Sequence, residues 1–382
     1  MTLMATEVLP DDRALRCARR QRATEQMAAH DLDILVLGRQ ANVRYVTGAP
    51  QLWVAGTRPF GPTCVLVRAT GAVHLLSTWD EGVPEDIPHE NLYGISWNPM
   101  NTIAALQRID GAATARRVGT DALSPVFAQL LPKAFPNAEL VDGELAMRAA
   151  RRIKTDEEVA ALRESVALAQ AALAAAVAEL RPGVSEQALA GVLLEALAAG
   201  GVSTPSNQDV AWVTSREHPW RRANGPDRIQ GRVQEGDLVA LSAGVLAGGY
   251  VGEVGRTWPA DFRRAPSGAA ALYRRWESLW DKLLAACQPG AGAGELLAAY
   301  QAAGEPEPPM PVARGLGMGF DPPVVSKHLP STVADECLEP GMVLAVTGYV
   351  WEQGVGAVFG REAVLITADG PEVLTSSPSW QG

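Results

Sequence analysis

The pattern of the sequence changes near residue 150, and this change leaves few architectures open to the chain. Before it, apolar runs of strand length at 32–37, 63–67 and 73–76 alternate with stretches of helical spacing. After it, two helix-forming stretches precede short β-rich runs that glycine and proline separate. The sequence therefore predicts an α/β domain followed by an α+β domain that is built on a curved antiparallel sheet.

The length and the charge of the chain agree with two domains and argue against several kinds of partner. A single hydrophobic core rarely grows beyond about 250–300 residues, and this chain has 382 residues, of which 47% are hydrophobic. Its 33 basic and 43 acidic residues give a net charge of −10, which repels phosphate backbones and anionic membrane surfaces. We therefore expect a small-molecule ligand, with no nucleic acid and no membrane as partner.

The cysteines indicate a reducing compartment. They form no C-x-x-C pair and are scattered along the chain at Cys17, Cys64, Cys287 and Cys337. The first twenty residues carry charges instead of a continuous apolar segment, and no stretch approaches the roughly 18 uninterrupted apolar residues of a membrane span. These features predict a cytoplasmic protein.

Capping and stop signals predict two consecutive helices at the start of the second domain. Thr155 and Glu158 have the spacing of a capping box, in which the hydroxyl and the carboxylate satisfy each other's backbone amides. That helix stops at residues 181–183, and Ser185 begins a second helix that runs to the glycine pair at 200–201. A helix pair therefore introduces the β-rich part of the chain.

Phrases distributed along the whole chain resemble one peptidase family. They stand, in order, at 41–48 (ANVRYVTG), 152–158 (RIKTDEE), 180–186 (LRPGVSE), 236–239 (GDLV), 249–257 (GYVGEVGRT), 315–319 (GLGMG) and 340–344 (PGMVL). Together they resemble the creatinase and aminopeptidase-P branch of the M24 peptidase family. The resemblance implies an α+β fold with a creatinase-like N-terminal α/β domain over residues 12–148 and a pita-bread domain over residues 149–378. It also implies a homodimer.

The same resemblance identifies the positions at which peptide-hydrolysing members hold two divalent ions with two Asp, one His and two Glu. In this chain those positions are Ser242, Glu253, Leu316, Thr347 and Glu362. Only two carboxylates remain and the imidazole is lost, whereas two adjacent cations need about four anionic oxygen ligands. We therefore predict no bound metal and no other cofactor. Alternatively, the three uncharged replacements simply repack an abandoned pocket.

The two remaining carboxylates are candidates for acid and base catalysis. We expect Glu253 and Glu362 to converge on the former metal site, where one of two neighbouring carboxyl groups is held protonated. His218 is the third candidate, because the resemblance places a catalytic histidine upstream of the first ligand position. The spacing to Ser242 is longer than is usual in the family, and a loop histidine is more often a surface or packing residue.

Aromatic and basic residues beside the site are candidates for substrate binding. They are Trp220, Arg221, Arg314, Tyr349 and Trp351. Arginine binds carboxylates through bidentate hydrogen bonds, and aromatic rings form the walls of apolar pockets. The alternatives are pairing with the remaining acids or surface solvation for the arginines, and core or interface packing for the rings.

Three functions remain open on these grounds. The first is a metal-independent hydrolase or lyase that acts on a small polar or carboxylate-bearing molecule, for which creatinase is the precedent within the family. The second is a non-catalytic pseudopeptidase that serves as a binding module. The third is an Xaa-Pro dipeptidase-type metallopeptidase with one residual metal, against which the number of remaining ligands argues.

Overall fold

The computed structural model describes residues 13–49, 61–77, 80, 82–202, 206, 211–220, 231–308, 310–328, 336–376 and 380. The chain divides into two compact units, Pro10–Thr155 and Asp156–Gly382. The boundary that we expected between residues 148 and 149 falls inside a helix of the first unit, Glu144–Arg152, a few residues before this division.

The first unit is a mixed sheet with helices. Its helices are α1 Arg13–Ala29, α2 Gln40–Thr47, α3 Pro99–Leu106, α4 Pro125–Ala134 and α5 Glu144–Arg152. Its strands are β1 Ile34–Leu37, β2 Cys64–Val67, β3 Val73–Leu76, β4 Leu92–Tyr93, β5 Arg117–Thr120 and β6 Glu139–Asp142. The strand order is β4-β3-β2-β1-β5-β6, in which β1, β5 and β6 are parallel and β2 is antiparallel to its neighbours β1 and β3. The α/β pattern of the sequence is therefore present.

The family-like phrase at 41–48 lies in α2, beside the carboxyl end of β5. The buried carboxylate of Asp121 accepts hydrogen bonds from the Gly38 amide at 2.7 Å and from Asn42 Nδ2 at 2.8 Å. Burial raises the pKa of Asp121, and these hydrogen bonds oppose the shift. Gly48 ends the helix with φ of 72°, a conformation that glycine adopts without strain. The phrase thus ties α2 to the sheet.

The second unit is an antiparallel sheet flanked by helices. Its helices are α6 Asp156–Ala178, α7 Glu186–Ala199, α8 Ala269–Ala286 and α9 Glu295–Ala303. Its strands are β7 Ala211–Val213, β8 Leu238–Ala247, β9 Tyr250–Pro259, β10 Ala313–Leu316, β11 Phe320–Val325, β12 Val343–Glu352, β13 Gly356–Thr367 and β14 Gly370–Val373. The strand order is β11-β10-β12-β13-β9-β8-β7, and β14 pairs with β13.

Helix α6 is the only helix in the described part of the chain that is long and apolar enough, by length and composition, to cross a bilayer. One side of the helix is buried, with Val166 and Leu173 among its residues, and Leu173 lies in the core that α7, β8 and β9 complete. Gly252 of β9 permits this packing, because a Cβ atom there would lie 2.2 Å from the Ser165 carbonyl carbon. The buried side of α6 thus belongs to the core of the second unit.

The sheet of the second unit has two chemically different faces. Helices α6 and α7 pack on Leu241 and Val254, and Trp276 of α8 covers Gly348 and Gly360, where a Cβ atom would lie within 2.7 Å of its ring. We call this helix-covered side the outer face. Since successive side chains of a strand point to opposite sides, the neighbours of these residues point to the other side, which we call the inner face.

Candidate functional site

The strand register places four altered or charged positions on the inner face. Ser242 is paired with Gly255 across β8 and β9, Thr347 is paired with Arg361 across β12 and β13, and Arg361 is paired with Gly255 across β13 and β9. Directly paired residues point to the same side of a sheet. Glu253 precedes Gly255 by two residues, so its side chain shares that side. The inner face therefore brings Ser242, Glu253, Thr347 and Arg361 together.

Glu253 is held between two guanidinium groups. Arg314 of β10 donates a hydrogen bond to its Oε1 atom, and Arg361 Nη1 donates to its Oε2 atom at 3.2 Å. Glu253 is fully buried, and both arginine side chains are almost completely so. We call Glu253, Arg314 and Arg361 the inner-face cluster.

Arg361 is fixed by further contacts. Its Nε atom donates to Thr347 Oγ1 at 3.2 Å, and its guanidinium carbon lies 5.4 Å from the centre of the Phe359 ring. Guanidinium groups stack favourably on aromatic faces, so these contacts hold the side chain in one orientation.

The electrostatics of the inner-face cluster are dominated by its cations. Burial lowers the pKa of the Arg314 guanidinium, the Glu253 carboxylate opposes this shift, and the neighbouring Arg361 adds to it. An arginine nevertheless stays charged at neutral pH. The cluster therefore contains one carboxylate and two permanent cations, and it offers a positive charge to any group that approaches it.

Glu362 does not join Glu253, and the expectation that they converge is wrong. Glu362 follows Arg361 directly on β13, so its side chain points to the outer face. There it forms an ion pair with Arg256 at 2.5 Å and accepts a hydrogen bond from the Thr375 hydroxyl. Burial raises the pKa of Glu362, and Arg256 and Thr375 oppose the shift. The two carboxylates lie on opposite sides of the sheet and cannot form the acid and base pair that we predicted.

The remaining ligand positions carry uncharged, buried side chains. Leu316 is fully buried on β10, two residues after Arg314. Ser242 and Thr347 are also buried, and the Thr347 hydroxyl accepts from Arg361. Of the five ligand positions inferred from the resemblance, only Glu253 thus keeps a carboxylate on the inner face.

The predicted catalytic histidine lies outside this cluster. His218 is exposed, and its ring packs edge-on against Trp220 with 5.3 Å between the ring centres. Within the described residues no contact joins His218 to Glu253 or to Glu362. Trp220 is 40% exposed, and Arg221 lies outside the described residues. The packing alternative for His218 therefore describes its observed contacts.

The two aromatic candidates on β12 belong to an apolar cluster. Tyr349 is buried on the inner face, its hydroxyl donates to the Pro219 carbonyl at 2.8 Å, and its ring lies 5.7 Å from that of Trp351. The cluster also contains Trp212 and Phe359, whose ring centres are 5.2 Å apart. These rings pack on one another beside the inner-face cluster, so packing accounts for their positions.

Comparison with known proteins identifies the family. The model of "Creatinase/Prolidase N-terminal domain" matches residues 19–153, and the model of "Metallopeptidase family M24" matches residues 160–368, more than half of the chain. The chain belongs to metallopeptidase family M24. This M24 protein is 24% identical to creatinase of Bacillus sp. over 94% of its own length and 90% of that enzyme. It is 26% identical to an uncharacterized hydrolase/peptidase of Sinorhizobium fredii, with 92% of each chain covered. Its relatives are thus hydrolases.

Solved structures confirm the fold of the M24 protein. It matches a prolidase from Pyrococcus horikoshii with a TM-score of 0.75 at 19% identity, covering 94% of this chain and 99% of that one. It matches an Xaa-Pro dipeptidase from Bacillus anthracis with a TM-score of 0.76 at 16% identity, covering 95% and 98%. The predicted α+β fold, with a creatinase-like domain followed by a pita-bread domain, is therefore confirmed.

The inner face of this M24 protein does not fit the paired divalent ions of the peptidases. Across the described residues, no three His, Cys, Asp or Glu side chains lie close enough together to hold a metal ion. The inner-face cluster supplies one carboxylate, which two guanidinium groups already neutralise. Hard divalent cations need several anionic oxygens, and neighbouring fixed cations repel them. The donor set and the charge of this face are therefore unsuited to a pair of divalent ions.

Sequence reasoning missed Arg361, which pairs with Glu253 on the inner face, and Arg256, which pairs with Glu362 on the outer face. Both adjoin positions of interest, since Arg361 precedes Glu362 and Arg256 follows Glu253 by three residues. An arginine within a buried strand rarely lacks an acidic partner, and this rule was the signal that could have found them. Which arginine pairs with which acid depends on the strand register.

Proposed function

We propose that this M24 protein is metal-independent and binds a small carboxylate-bearing molecule on the inner face of its C-terminal sheet. The proposal rests on the hydrogen bonds of Glu253, whose two carboxylate oxygens accept from Arg314 and Arg361. A carboxylate in this state is a poor ligand for a cation, whereas the guanidinium groups around it are suited to an anion.

Metal independence is supported by both ligand number and charge. Ser242 and Thr347 offer neutral hydroxyl groups, Leu316 offers no donor atom, and Glu253 is already paired. Paired divalent ions would meet two buried cations at close range, where solvent and salt screen the repulsion poorly. A dinuclear peptidase reaction is therefore not the function that we propose.

Binding is favoured over acid and base catalysis because the expected catalytic groups do not meet. Glu362 is on the outer face with Arg256, and His218 is exposed beside Trp220. Guanidinium groups hold their protons at neutral pH, so they stabilise charge but do not transfer protons. The chemistry on the inner face is thus that of electrostatic recognition.

A carboxylate is the ligand group that suits the inner-face cluster. Arg361 donates through Nε to Thr347 and through Nη1 to Glu253, and its Nη2 atom has no hydrogen-bond acceptor within the described residues. A ligand carboxylate would give this nitrogen an acceptor and offset the excess positive charge of the cluster. Apolar rings beside it, Phe359 and Tyr349, suit a ligand with a small apolar body.

A metal-independent hydrolase is the second candidate. It is supported by the similarity to creatinase along 94% of the chain and by the buried Glu253 carboxylate, which shares its face with the Ser242 and Thr347 hydroxyls. In this case Glu253 is the general base and a bound ligand displaces one of its arginine partners. Turnover of a bound compound that Glu253→Gln abolishes without abolishing its binding would select this candidate.

The first test of the proposal is the metal content. We expect the protein, purified without chelators from cells grown with manganese, iron, cobalt and zinc, to contain far less than one equivalent of any of them. Elemental analysis by mass spectrometry measures this directly, and a prolidase purified in parallel controls for metal loss. Stoichiometric metal on the inner face would refute metal independence.

The second test is ligand binding. Small carboxylates are expected to raise the melting temperature by about 2 °C or more near saturation, whereas the primary amides of the same compounds are expected to have no effect. Arg361→Gln should remove the shift, because the carboxylate loses its main cation. Equal shifts from acids and amides, or a shift that survives Arg361→Gln, would contradict the assignment of the carboxylate. The cytoplasmic location and the homodimer inferred from the sequence stay predictions.

A further inference from the structure

Arg361 occupies the centre of the inner face, paired across the sheet with both Thr347 and Gly255. We propose that Arg361 is the built-in cation of this site and the residue that keeps divalent ions out of it. The inference rests on the proposed metal independence and names the residue responsible for it.

The side chain of Arg361 is positioned as a bound cation would be. It lies between the Glu253 carboxylate and the Thr347 hydroxyl, with Nη1 and Nε donating to them at 3.2 Å each. It packs over the Phe359 ring and is 8% exposed, so water does not replace these contacts. A covalently attached positive charge therefore lies among the oxygen atoms that the inner face retains.

The loss of ligands does not by itself explain the exclusion of ions. Oxygen donors remain on the inner face in Glu253, Ser242 and Thr347, and hard cations accept carboxylate and neutral oxygen ligands. What the inner-face cluster lacks is net negative charge, because its two guanidinium groups outweigh its one carboxylate. Charge is consequently the property that a single substitution can reverse.

Arg361 is more central to this effect than Arg314. Arg361 is on β13, in the middle of the strand order, and faces the retained oxygens of both neighbouring strands. Arg314 is on β10, farther towards one edge of the sheet, and reaches Glu253 from that side. Replacing Arg361 with glutamate changes the local charge by two and places a second carboxylate beside Glu253.

The test is gain of cation binding by Arg361→Glu. Terbium is the probe, since it prefers oxygen ligands and its luminescence is sensitised by a nearby tryptophan. Trp212 provides the sensitiser, because it packs against Phe359 on the same face. We expect saturable luminescence with an affinity at least about tenfold above that of the wild type, and competition by manganese.

Matched variants separate site binding from surface binding. Arg361→Glu/Glu253→Gln removes one of the two carboxylates and is expected to lose the gained affinity. Arg314→Met/Arg361→Glu removes the other cation and is expected to bind terbium more tightly still. If circular dichroism shows that Arg361→Glu does not fold, Arg361→Gln replaces it in the test. We then expect a smaller gain in terbium affinity, which Glu253→Gln again abolishes.

The outcomes distinguish this inference from the proposed function. Saturable terbium binding that depends on both the Arg361 substitution and Glu253 supports the role of Arg361. Binding no tighter than in the wild type, or binding that survives Glu253→Gln, overturns the inference and leaves metal independence intact. Stoichiometric metal in the wild type overturns the proposed function instead.

Discussion

Replacement of Arg256 with methionine is expected to lower the free energy of unfolding by about 3 to 5 kcal/mol, because it leaves the Glu362 carboxylate buried without its cation. The two side chains form an ion pair at 2.5 Å on the outer face, and each is less than a tenth exposed. Thr375 supplies a hydrogen bond that is too weak to replace the lost charge. Urea denaturation followed by circular dichroism measures the change.

The double variant Arg256→Met/Glu362→Leu is the matched control. Replacing a buried ion pair with apolar residues of similar size costs much less than breaking it, so we expect the double variant to recover most of the lost stability. Recovery is incomplete because Thr375 loses the Glu362 carboxylate as its hydrogen-bond acceptor. A loss below about 1 kcal/mol in the single variant, or no recovery in the double, would show that the pair is not energetically coupled.

The destabilisation by Arg256→Met should depend on pH. Burial already raises the pKa of Glu362 above its ordinary value of 4.5, and Arg256 opposes this shift. A carboxyl group whose folded pKa lies above its unfolded pKa stabilises the fold at low pH and loses that contribution as the pH rises through the folded pKa. The deficit of the variant is therefore largest at neutral pH and shrinks as the pH falls towards about 4.

Replacement of Gly252 with alanine is the other change with a large expected effect. The added Cβ atom would lie 2.2 Å from the Ser165 carbonyl carbon and 2.3 Å from its oxygen, so α6 must move away from β9. The Ser165 hydroxyl also donates to the Ala247 carbonyl at 3.3 Å, and this contact is lost when the helix moves. We expect a loss of about 2 to 3 kcal/mol, at the upper end of overpacking effects.

Gly191→Ala is the control for Gly252→Ala. Gly191 lies within α7, and nothing lies within 4 Å of the Cβ atom that alanine would add. Alanine in a helix costs less conformational entropy than glycine, so this variant is expected to be more stable by about 0.5 to 1 kcal/mol. Thermal denaturation of both variants tests the comparison. Equal effects at the two positions would show that the close approach of α6 to β9 does not limit stability.

The outer and inner faces use arginine in the same way, although they serve different purposes. Arg256 neutralises Glu362 beneath the helices, and Arg361 with Arg314 neutralises Glu253 on the face that we propose for binding. A family fold can lose its metal ions without accumulating buried anions when guanidinium groups supply the missing positive charge. The fold itself is that of the prolidases and creatinase, so function in this chain depends on the site and not on the architecture.

Much of the fold was readable from local patterns. The strand runs at 63–67 and 73–76 predict β2 and β3 to within a residue. The Ser185 cap is also predicted, and in the structure its side chain accepts a hydrogen bond from the Ala188 amide at 3.1 Å. These features depend on residues that are close in sequence, and turn, cap and alternation signals report such local order directly.

The sequence predicts only part of the candidate site. Ser242 and Glu253 share one face because β8 and β9 form a hairpin, and the register of a hairpin follows from its short turn. Pairing with a remaining acid is one of the roles that the sequence suggests for Arg314, but the second partner of Glu253, Arg361, is not predicted, since both arginines belong to strands far along the chain. His218 is a candidate only because the resemblance places a histidine upstream of Ser242, and the sequence does not show that its ring packs on Trp220.

The sequence by itself determined the family fold and the residue types at the positions that the resemblance identifies as ligand positions. Only the tertiary structure decided whether Arg361 or Glu362 points to the inner face. Adjacent residues of a strand point to opposite sides, so an offset of one position exchanges a cation for an anion at the same place. The pairing of β13 with β12 and β9 removes that ambiguity, and it places a guanidinium group where we had expected a carboxylate.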